Sequence, residues 1–421
     1  MKFVLASYGS RGDVEPCVAI GRELLRRGHD VRIAVPPDLV GFTEAAGLAA
    51  VAFGPDVQPI LDAHRDFWRL FFGDFWRIQD LLRLRREVAE PIIQRWQEIG
   101  TTLTWLADGA DLLLSGLNFE QSAANVAEYY DIPLATLHVF PHRANGKFVP
   151  FLPAPLIRSV MTVYEWLGWR LATKLEDVQR RELGLPKATG PLPRRISERG
   201  WLEIQAYDEV CFPGLAAEWA KRNGNRPFVG ALAMELPTDA DKEVASWITA
   251  GTPPIFFGFG SIPVESPADT LAMISAACVQ LGERALICSA GTDFGPVPDS
   301  DLVKIVGTMN YADAFPFCRA VVHHGGVGTT AASLRAGVPT LILSTDIDQT
   351  LWGTRIKRLK VGTARRFSTT TRESLIADLR RILAPQYAAR AREIATQLTK
   401  PAAAVAAAAD LVEHLARISP G

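Results

Sequence analysis

The sequence predicts an α/β protein built from two doubly wound parallel-sheet domains. Three observations carry that expectation. Short apolar runs alternate with amphipathic stretches across short loops, as strand–helix–strand units require. The rhythm starts at the N-terminus, breaks off after residue 212 and restarts at residue 254. The length, 421 residues, suits about two domains of roughly 150–200 residues each. The expected division is 1–215, a linker over 216–235, a second domain over 236–400 and a C-terminal helix over 401–421.

In the first half, Lys2 to Ala6 reads as a buried strand, Ser7 to Glu15 as a loop, and Pro16 onward as a helix closed by Gly28. Proline suits a first helical turn and glycine the position past the end. Val31–Val35, Asp111–Ser115 and Pro133–Phe140 read as further strands, with a helix over 121–130 between the last two. Residues 60–106 interrupt the pattern with Phe67, Trp68, Phe71, Phe72, Phe75, Trp76, Trp96 and Trp105. Spacings of three and four put several on one helix face, as core or as an apolar ligand cleft. Residues 151–171 add Phe151, Tyr164, Trp166 and Trp169 among prolines; a membrane-surface contact is one reading, set against charges that read as mixed. Residues 184–200 read as a surface loop and Ala206–Phe212 as the last strand. The second half repeats the scheme, with strands at 254–258, 284–289, 302–306, 320–323 and 339–343. Its helices are expected at 267–281, 329–336, 350–359 and 372–383, and the alanine-rich tail from Pro401 reads as a helix.

Composition narrows the function. A net charge of -1 gives no footing for nucleic acid. Five scattered cysteines without a CxxC pair suit a reducing cytoplasm rather than a disulfide or zinc framework. The first residues are too short an apolar run for a signal peptide, and nothing approaches the ~20 apolar residues of a membrane span.

The most informative stretch is Val321–Gly353. A strand runs into His323 and His324, then Gly325, Gly326 and Gly328, then Thr329 and Thr330 at the head of a helix. Helix N-termini present unpaired N–H groups and the positive end of a dipole, and glycines let an anion approach them closely. A phosphate cradle and an ordinary strand-to-helix turn both fit the glycines alone. Alternation along the strand turns His323 into the sheet and leaves His324 at the cradle. Asp348 and Gln349 follow; a carboxylate and an amide suit vicinal sugar hydroxyls, and equally suit a helix cap. Asp13 is open to two readings as well, a general base or an N-cap.

Together GSRGDVEP near the N-terminus, GFGS before a helix, HHGGVGTT and DQTLWG resemble the bacterial nucleotide-sugar glycosyltransferases of the GT-B fold. The similarity is to the branch acting on lipids, sterols and natural-product aglycones, and it is weakest across 55–110 and 145–200. It implies two Rossmann-like domains facing across a cleft, an acceptor domain first and a donor domain second. It implies inverting transfer of a hexose or deoxyhexose from a UDP- or TDP-sugar, the co-substrate, to a hydroxyl of a hydrophobic small-molecule or lipid acceptor. Asp13 is then the base. Ser10, Arg11, Gly12, Ser261, His324, Gly326, Gly328, Thr329 and Thr330 hold the diphosphate, and Asp348 and Gln349 the sugar. Met309, Asn310 and Tyr311 occupy the nucleoside loop, where the family's glutamine is missing. His138, His142 and Trp352 face the acceptor. With the base in the first domain and the cradle in the second, closure about the linker is expected to matter.

No cofactor and no metal are expected. The triplets Asp239/Asp241, Asp299/Asp301 and Asp346/Asp348 are common by chance, and a helix dipole can balance the diphosphate. The expected location is cytoplasmic, with peripheral contact at the inner membrane face as an extension. A nucleotide-sugar epimerase of the same architecture and a non-catalytic partner of a transferase are the rivals. A dinucleotide dehydrogenase fits worst, since no GxGxxG follows the first strand.

Overall fold

The computed structural model describes residues 1–73, 76–148, 152–221, 225–260, 266–290, 292–294 and 302–418. The chain divides into two compact units. One comprises residues 1–61, 85–234 and 399–421; the other comprises 62–84 and 235–398. The tail helix expected to stand apart therefore belongs to the first unit. Its residues Asp410 and Glu413 bind Arg27 (2.6 Å) and His29 (2.8 Å) beside the Arg11–Arg26 helix.

Each unit holds one six-stranded, all-parallel sheet. The first contains β1 (Lys2–Ala6), β2 (Asp30–Val35), β3 (Ala50–Ala52), β4 (Leu112–Gly116), β5 (Leu134–His138) and β6 (Leu202–Gln205). The second contains β7 (Ile255–Gly258), β8 (Ala285–Cys288), β9 (Val303–Val306), β10 (Ala320–His323), β11 (Thr340–Ser344) and β12 (Gly362–Arg366). Their orders are β3-β2-β1-β4-β5-β6 and β12-β11-β10-β7-β8-β9. Both sheets reverse direction of winding once, between β1 and β4 and between β7 and β10. Ligands in such sheets bind beyond the strand C-termini at that reversal.

The inner strands are largely apolar on both faces because helices cover both. In β7, Phe256 and Phe257 point to opposite sides. Phe257 packs in one cluster with Ile274, Leu375 and Leu379, and Phe256 in another with Val244, Ile248 and Phe315. All eight are 5% exposed or less. Each such phenylalanine contributes on the order of 2–3 kcal/mol by burial. In the first unit, Val4 and Leu113 share a core with Ile99, Leu103 and Val126.

Several local expectations are corrected. The first helix begins at Arg11, not at Glu15 or Pro16, because Ser10 takes the extended N-cap conformation and Asp13 reaches back to its backbone N–H. Pro16 lies inside the helix, where its ring forgoes the bond to the Gly12 carbonyl. Residues 184–200 include a helix, Leu192–Glu198, and the sixth strand is Leu202–Gln205 rather than Ala206–Phe212. Two second-half helices start earlier than expected, at Val327 and Ile347, while those at Pro267 and Arg372 start where expected. The three-residue β3 and the arginine-bearing edge strand β12 were not anticipated. Phe71, Trp76 and Trp105 of the aromatic insertion are exposed rather than core.

Candidate active site

In the first unit, the turn after β1 places Ser7–Arg11 at the β1/β4 reversal. Asp13 occupies the third position of the following helix. Its Oδ2 accepts from the Ser10 N–H (2.8 Å) and the Ser10 hydroxyl (2.9 Å), while Ser7 Oγ donates to the Asp13 carbonyl (2.9 Å). Oδ1 accepts no hydrogen bond from the described residues. The carboxylate fits because position 9 has no side chain: a Cβ on Gly9, itself at φ +133°, would lie 2.4 Å from Oδ2. Burial raises the Asp13 pKa above its ordinary value, and the two Ser10 bonds oppose that rise. A carboxylate so placed is a stronger proton acceptor than a solvated one. Asp13 therefore takes part in the capping of its helix without being the N-cap, which is Ser10.

Arg11 is exposed and engaged locally, with Nε 3.0 Å from Glu15 and the guanidinium 4.6 Å from the centre of the Phe42 ring. Gly12 has only Ser10 Oγ near the place a side chain would take. Beside this turn lies an aromatic wall that sequence spacing did not indicate. Phe119 packs against Tyr8 (4.9 Å), Phe53 (5.4 Å) and Trp96 (6.1 Å). Phe119 holds a left-handed backbone, φ 67°, uncommon for a bulky residue and frequent at functional sites.

In the second unit, the turns after β7 and β10 meet at the β7/β10 reversal, where His323 pairs with Gly258 in register. The His324 ring is clasped between two glycines. A Cβ on Gly260 would lie 2.6 Å from its Cε1, and one on Gly326 would lie 2.5 Å from its Nε2. His324 Nδ1 is buried without a partner among the described residues. Burial lowers its pKa to about 4; the nearby Gly258 carbonyl opposes the fall without meeting hydrogen-bond geometry. The ring is thus neutral at pH 7 and can donate one N–H. His323 is fully buried, as the alternation predicted, and its Nδ1 accepts from the Gly325 N–H (3.0 Å). That bond leaves the His323 proton on Nε2, which is also buried and unpaired among the described residues.

Gly326 caps the Val327–Arg335 helix, whose Val327, Gly328 and Thr329 N–H groups precede its first intrahelical bond. Gly328 has open space around its Cα. Thr330 does not fit its expected part. Its N–H (2.9 Å) and its hydroxyl (2.8 Å) both donate to the Gly326 carbonyl, so it fixes the cap instead of offering a donor. Ser261 lies outside the described residues.

The cap of the next helix was missed. It is Asp346, whose Oδ1 accepts from the Gln349 N–H (2.8 Å) and whose Oδ2 accepts from Gln349 Nε2 (2.6 Å). Gln349 Oε1 accepts from the Thr345 N–H (2.8 Å) and hydroxyl (3.0 Å). The Asp-x-x-Gln spacing is a capping-box signal that could have found it. One amide hydrogen of Gln349 remains for another acceptor. Burial raises Asp346 to about 6. Asp348 is exposed in the first turn. Trp352 is 5% exposed, packed rather than open for stacking.

The side chains of two further groups are engaged within the fold. Asn310 caps the Tyr311–Ala314 helix, accepting from Ala312 N–H (3.1 Å), and its own N–H meets Asp241 (2.8 Å). Met309 is buried, and Tyr311 stacks on Phe315 at 4.7 Å. His138 is fully buried, bonded to Glu120 within a chain of charges running through Arg143 and Glu203 to Arg226. It is not acceptor-facing. Arg143 and His138 hold Glu120 down at about 2 against the cost of burial. His142 stays half-buried nearby, with its pKa lowered to about 4 by burial and Arg143. No group of three or more His, Cys, Asp or Glu side chains suited to a metal occurs among the described residues.

Comparison with known proteins finds one family model in each half of the chain. Residues 3–99 match the glycosyltransferase family 28 N-terminal domain, and residues 262–418 match the erythromycin biosynthesis protein CIII-like C-terminal domain. An uncharacterized glycosyltransferase of Mycobacterium tuberculosis is 60% identical, covering 99% of both chains. One from Mycobacterium leprae is 59% identical over 99% of this chain and 97% of its own. The crystal structure of glycosyltransferase VinC in complex with DTDP aligns with a TM-score of 0.66 at 18% identity, over 99% of this chain and 100% of that one. The chain belongs to the glycosyltransferases and has the GT-B fold.

Proposed function

We propose that this glycosyltransferase moves a hexose or deoxyhexose from a UDP- or TDP-sugar to a hydroxyl of a hydrophobic acceptor, with inversion. The observation that carries the donor reading is the His324 ring, clasped by Gly260 and Gly326 with a buried nitrogen unpaired among the described residues, at the head of a helix whose first three N–H groups precede its first intrahelical bond. Those groups suit a diphosphate: partial positive charge without a titrating side chain. A structural neighbour holds DTDP, which supports a nucleoside diphosphate of that class.

In the proposed reaction the acceptor oxygen forms a bond to the anomeric carbon as the bond to the diphosphate oxygen breaks. The hydroxyl proton passes to Asp13 Oδ1, and the electron pair leaves with the diphosphate. His324 and the N–H groups of Val327, Gly328 and Thr329 stabilise the charge that develops there. Asp348 and the remaining Gln349 N–H hold sugar hydroxyls, and the loop at Met309–Tyr311 borders the nucleoside through its backbone. Phe119, partly buried beside the Asp13 turn, with His142, favours an apolar acceptor. Because the helix N-terminus balances the leaving charge, the reaction needs no metal cofactor.

The test is thermal shift of the protein against UDP-, TDP- and GDP-sugars, followed by transfer to extracted lipid acceptors. A UDP- or TDP-sugar should stabilise the protein and glycosylate an acceptor. Stabilisation by none of the panel would sink the donor reading.

A further inference from the structure

The Ala154–Glu182 helix presents an apolar face that is exposed among the described residues. Leu156, Val160, Val163, Tyr164, Leu167 and Leu171 are 52%, 57%, 55%, 71%, 48% and 72% exposed. Their spacing of 4, 3, 1, 3 and 4 residues confines them to an arc of about 100° along roughly 22 Å of helix. The helix packs inward through Ile157, Glu176, Gln179 and Arg180.

The exposed charges beside the Leu156–Leu171 stripe have one sign. The sequence places Glu165 among the aromatics, which is why it reads as mixed. In the structure Glu165 turns inward and its Oε1 accepts from the Ala144 N–H (2.6 Å). Arg158 is likewise held by Glu218 (2.7 Å). Between residues 152 and 174 the exposed charged side chains are Arg170 and Lys174, with no exposed carboxylate. Trp166, half-exposed at the edge of the stripe, carries Arg170 over its ring at 5.9 Å. Leucines and valines flanked by tryptophan, tyrosine and basic residues are the composition of a helix lying in a membrane interface. No helix among the described residues is long and apolar enough to cross a membrane.

We propose that the Ala154–Glu182 helix docks the protein on an anionic lipid bilayer, with its Leu156–Leu171 stripe in the acyl boundary and Arg170 and Lys174 among the headgroups. A second copy of the chain fits less well, because its Leu156–Leu171 stripe offers Arg170 and Lys174 no exposed carboxylate. Docking rests on the helix alone. Its consequence, that the enzyme collects its acceptor from the bilayer, rests on the glycosyltransferase reading.

The experiment is co-sedimentation of the full chain, without donor, with vesicles of equal phosphatidylglycerol and phosphatidylcholine, and with phosphatidylcholine alone. The parent should bind the anionic vesicles at least tenfold more tightly. The double change Leu167→Ser and Leu171→Ser should weaken binding by about a hundredfold or more, since each leucine is worth roughly tenfold. Arg170→Gln with Lys174→Gln should weaken it by about 25-fold, at roughly fivefold per cation. Both variants should keep the parent's melting temperature and its thermal shift by nucleotide sugar. Absence of parent binding to anionic vesicles, or equal binding by the serine variant, overturns the proposal. So does a concentration-dependent dimer, seen by sedimentation velocity, that the serine changes abolish while no vesicle binding occurs. Loss of the nucleotide-sugar shift in the parent would sink the donor reading and leave the docking result standing.

Discussion

Replacing Asp13 by Asn separates its chemical part from its structural one. An asparagine oxygen can still accept from the Ser10 N–H and hydroxyl, which lie 2.8 and 2.9 Å from Oδ2. The slot against Gly9 is filled by a side chain of the same shape. What is lost is the charge near the helix N-terminus, at a cost of about 0.3–1 kcal/mol. Part of that is returned, because burial already disfavours the charged form. Stability should therefore change by less than about 1 kcal/mol. Transfer should fall about 100- to 10,000-fold, the usual worth of a general base. The assay is steady-state release of nucleoside diphosphate with acceptor present, beside calorimetric donor affinity. A fall in kcat at unchanged donor Kd is expected. Turnover within tenfold of the parent, with the fold intact, would refute the assignment. Gly9→Ala offers a second route to the same loss, because its Cβ would displace Oδ2.

Other perturbations probe the remaining parts. Gly326→Ala should push His324 from its slot and weaken nucleotide-sugar binding by about tenfold or more, read by calorimetry; unchanged affinity would remove His324 from the cradle. With His324 at about 4, nucleotide-sugar affinity should not titrate between pH 5.5 and 8, and a steep change near pH 6.5 would contradict a neutral ring. Asp346, raised to about 6, binds protons more readily folded than unfolded. It therefore contributes stability below pH 4 that is lost as pH rises to about 6; that component of the melting-temperature profile should disappear in Asp346→Asn. Glu120→Gln should destabilise the first unit by about 3–5 kcal/mol, the cost of breaking a buried pair, without altering donor binding. Activity should survive EDTA, and a requirement for added divalent cation would contradict charge balance by the helix N-terminus.

Much of the architecture was legible because parallel strands buried on both faces are short continuous apolar runs. That signal found β7 through β11 and failed at β12, whose Arg365 and Arg366 belong to an edge. It also misplaced β6, since Ala206–Phe212 is as apolar as Leu202–Gln205 and only pairing with β5 decides between them. The glycine cluster was legible because close backbone approach demands glycine: His324 fits only where positions 260 and 326 have no side chain. Function-like residues that serve packing were harder. His138 lies at a strand end, as a ligand residue would, but Glu120 and Arg143 arrive from elsewhere in sequence to satisfy it. The sign of the charge beside the Leu156–Leu171 stripe was hidden for the same reason, since Glu165 is withdrawn by a backbone N–H of Ala144.

The central claim is acceptor-dependent transfer from a nucleotide sugar, and mass spectrometry of the donor with and without acceptor tests it most directly. The account predicts that a UDP- or TDP-sugar stays intact with the protein alone. When a hydrophobic hydroxyl acceptor is added, nucleoside diphosphate and glycosylated acceptor should appear in equal amounts, the new bond inverted at the anomeric carbon. Consumption or isomerisation of the donor with no acceptor present, or a donor left untouched across the acceptor panel, would contradict it.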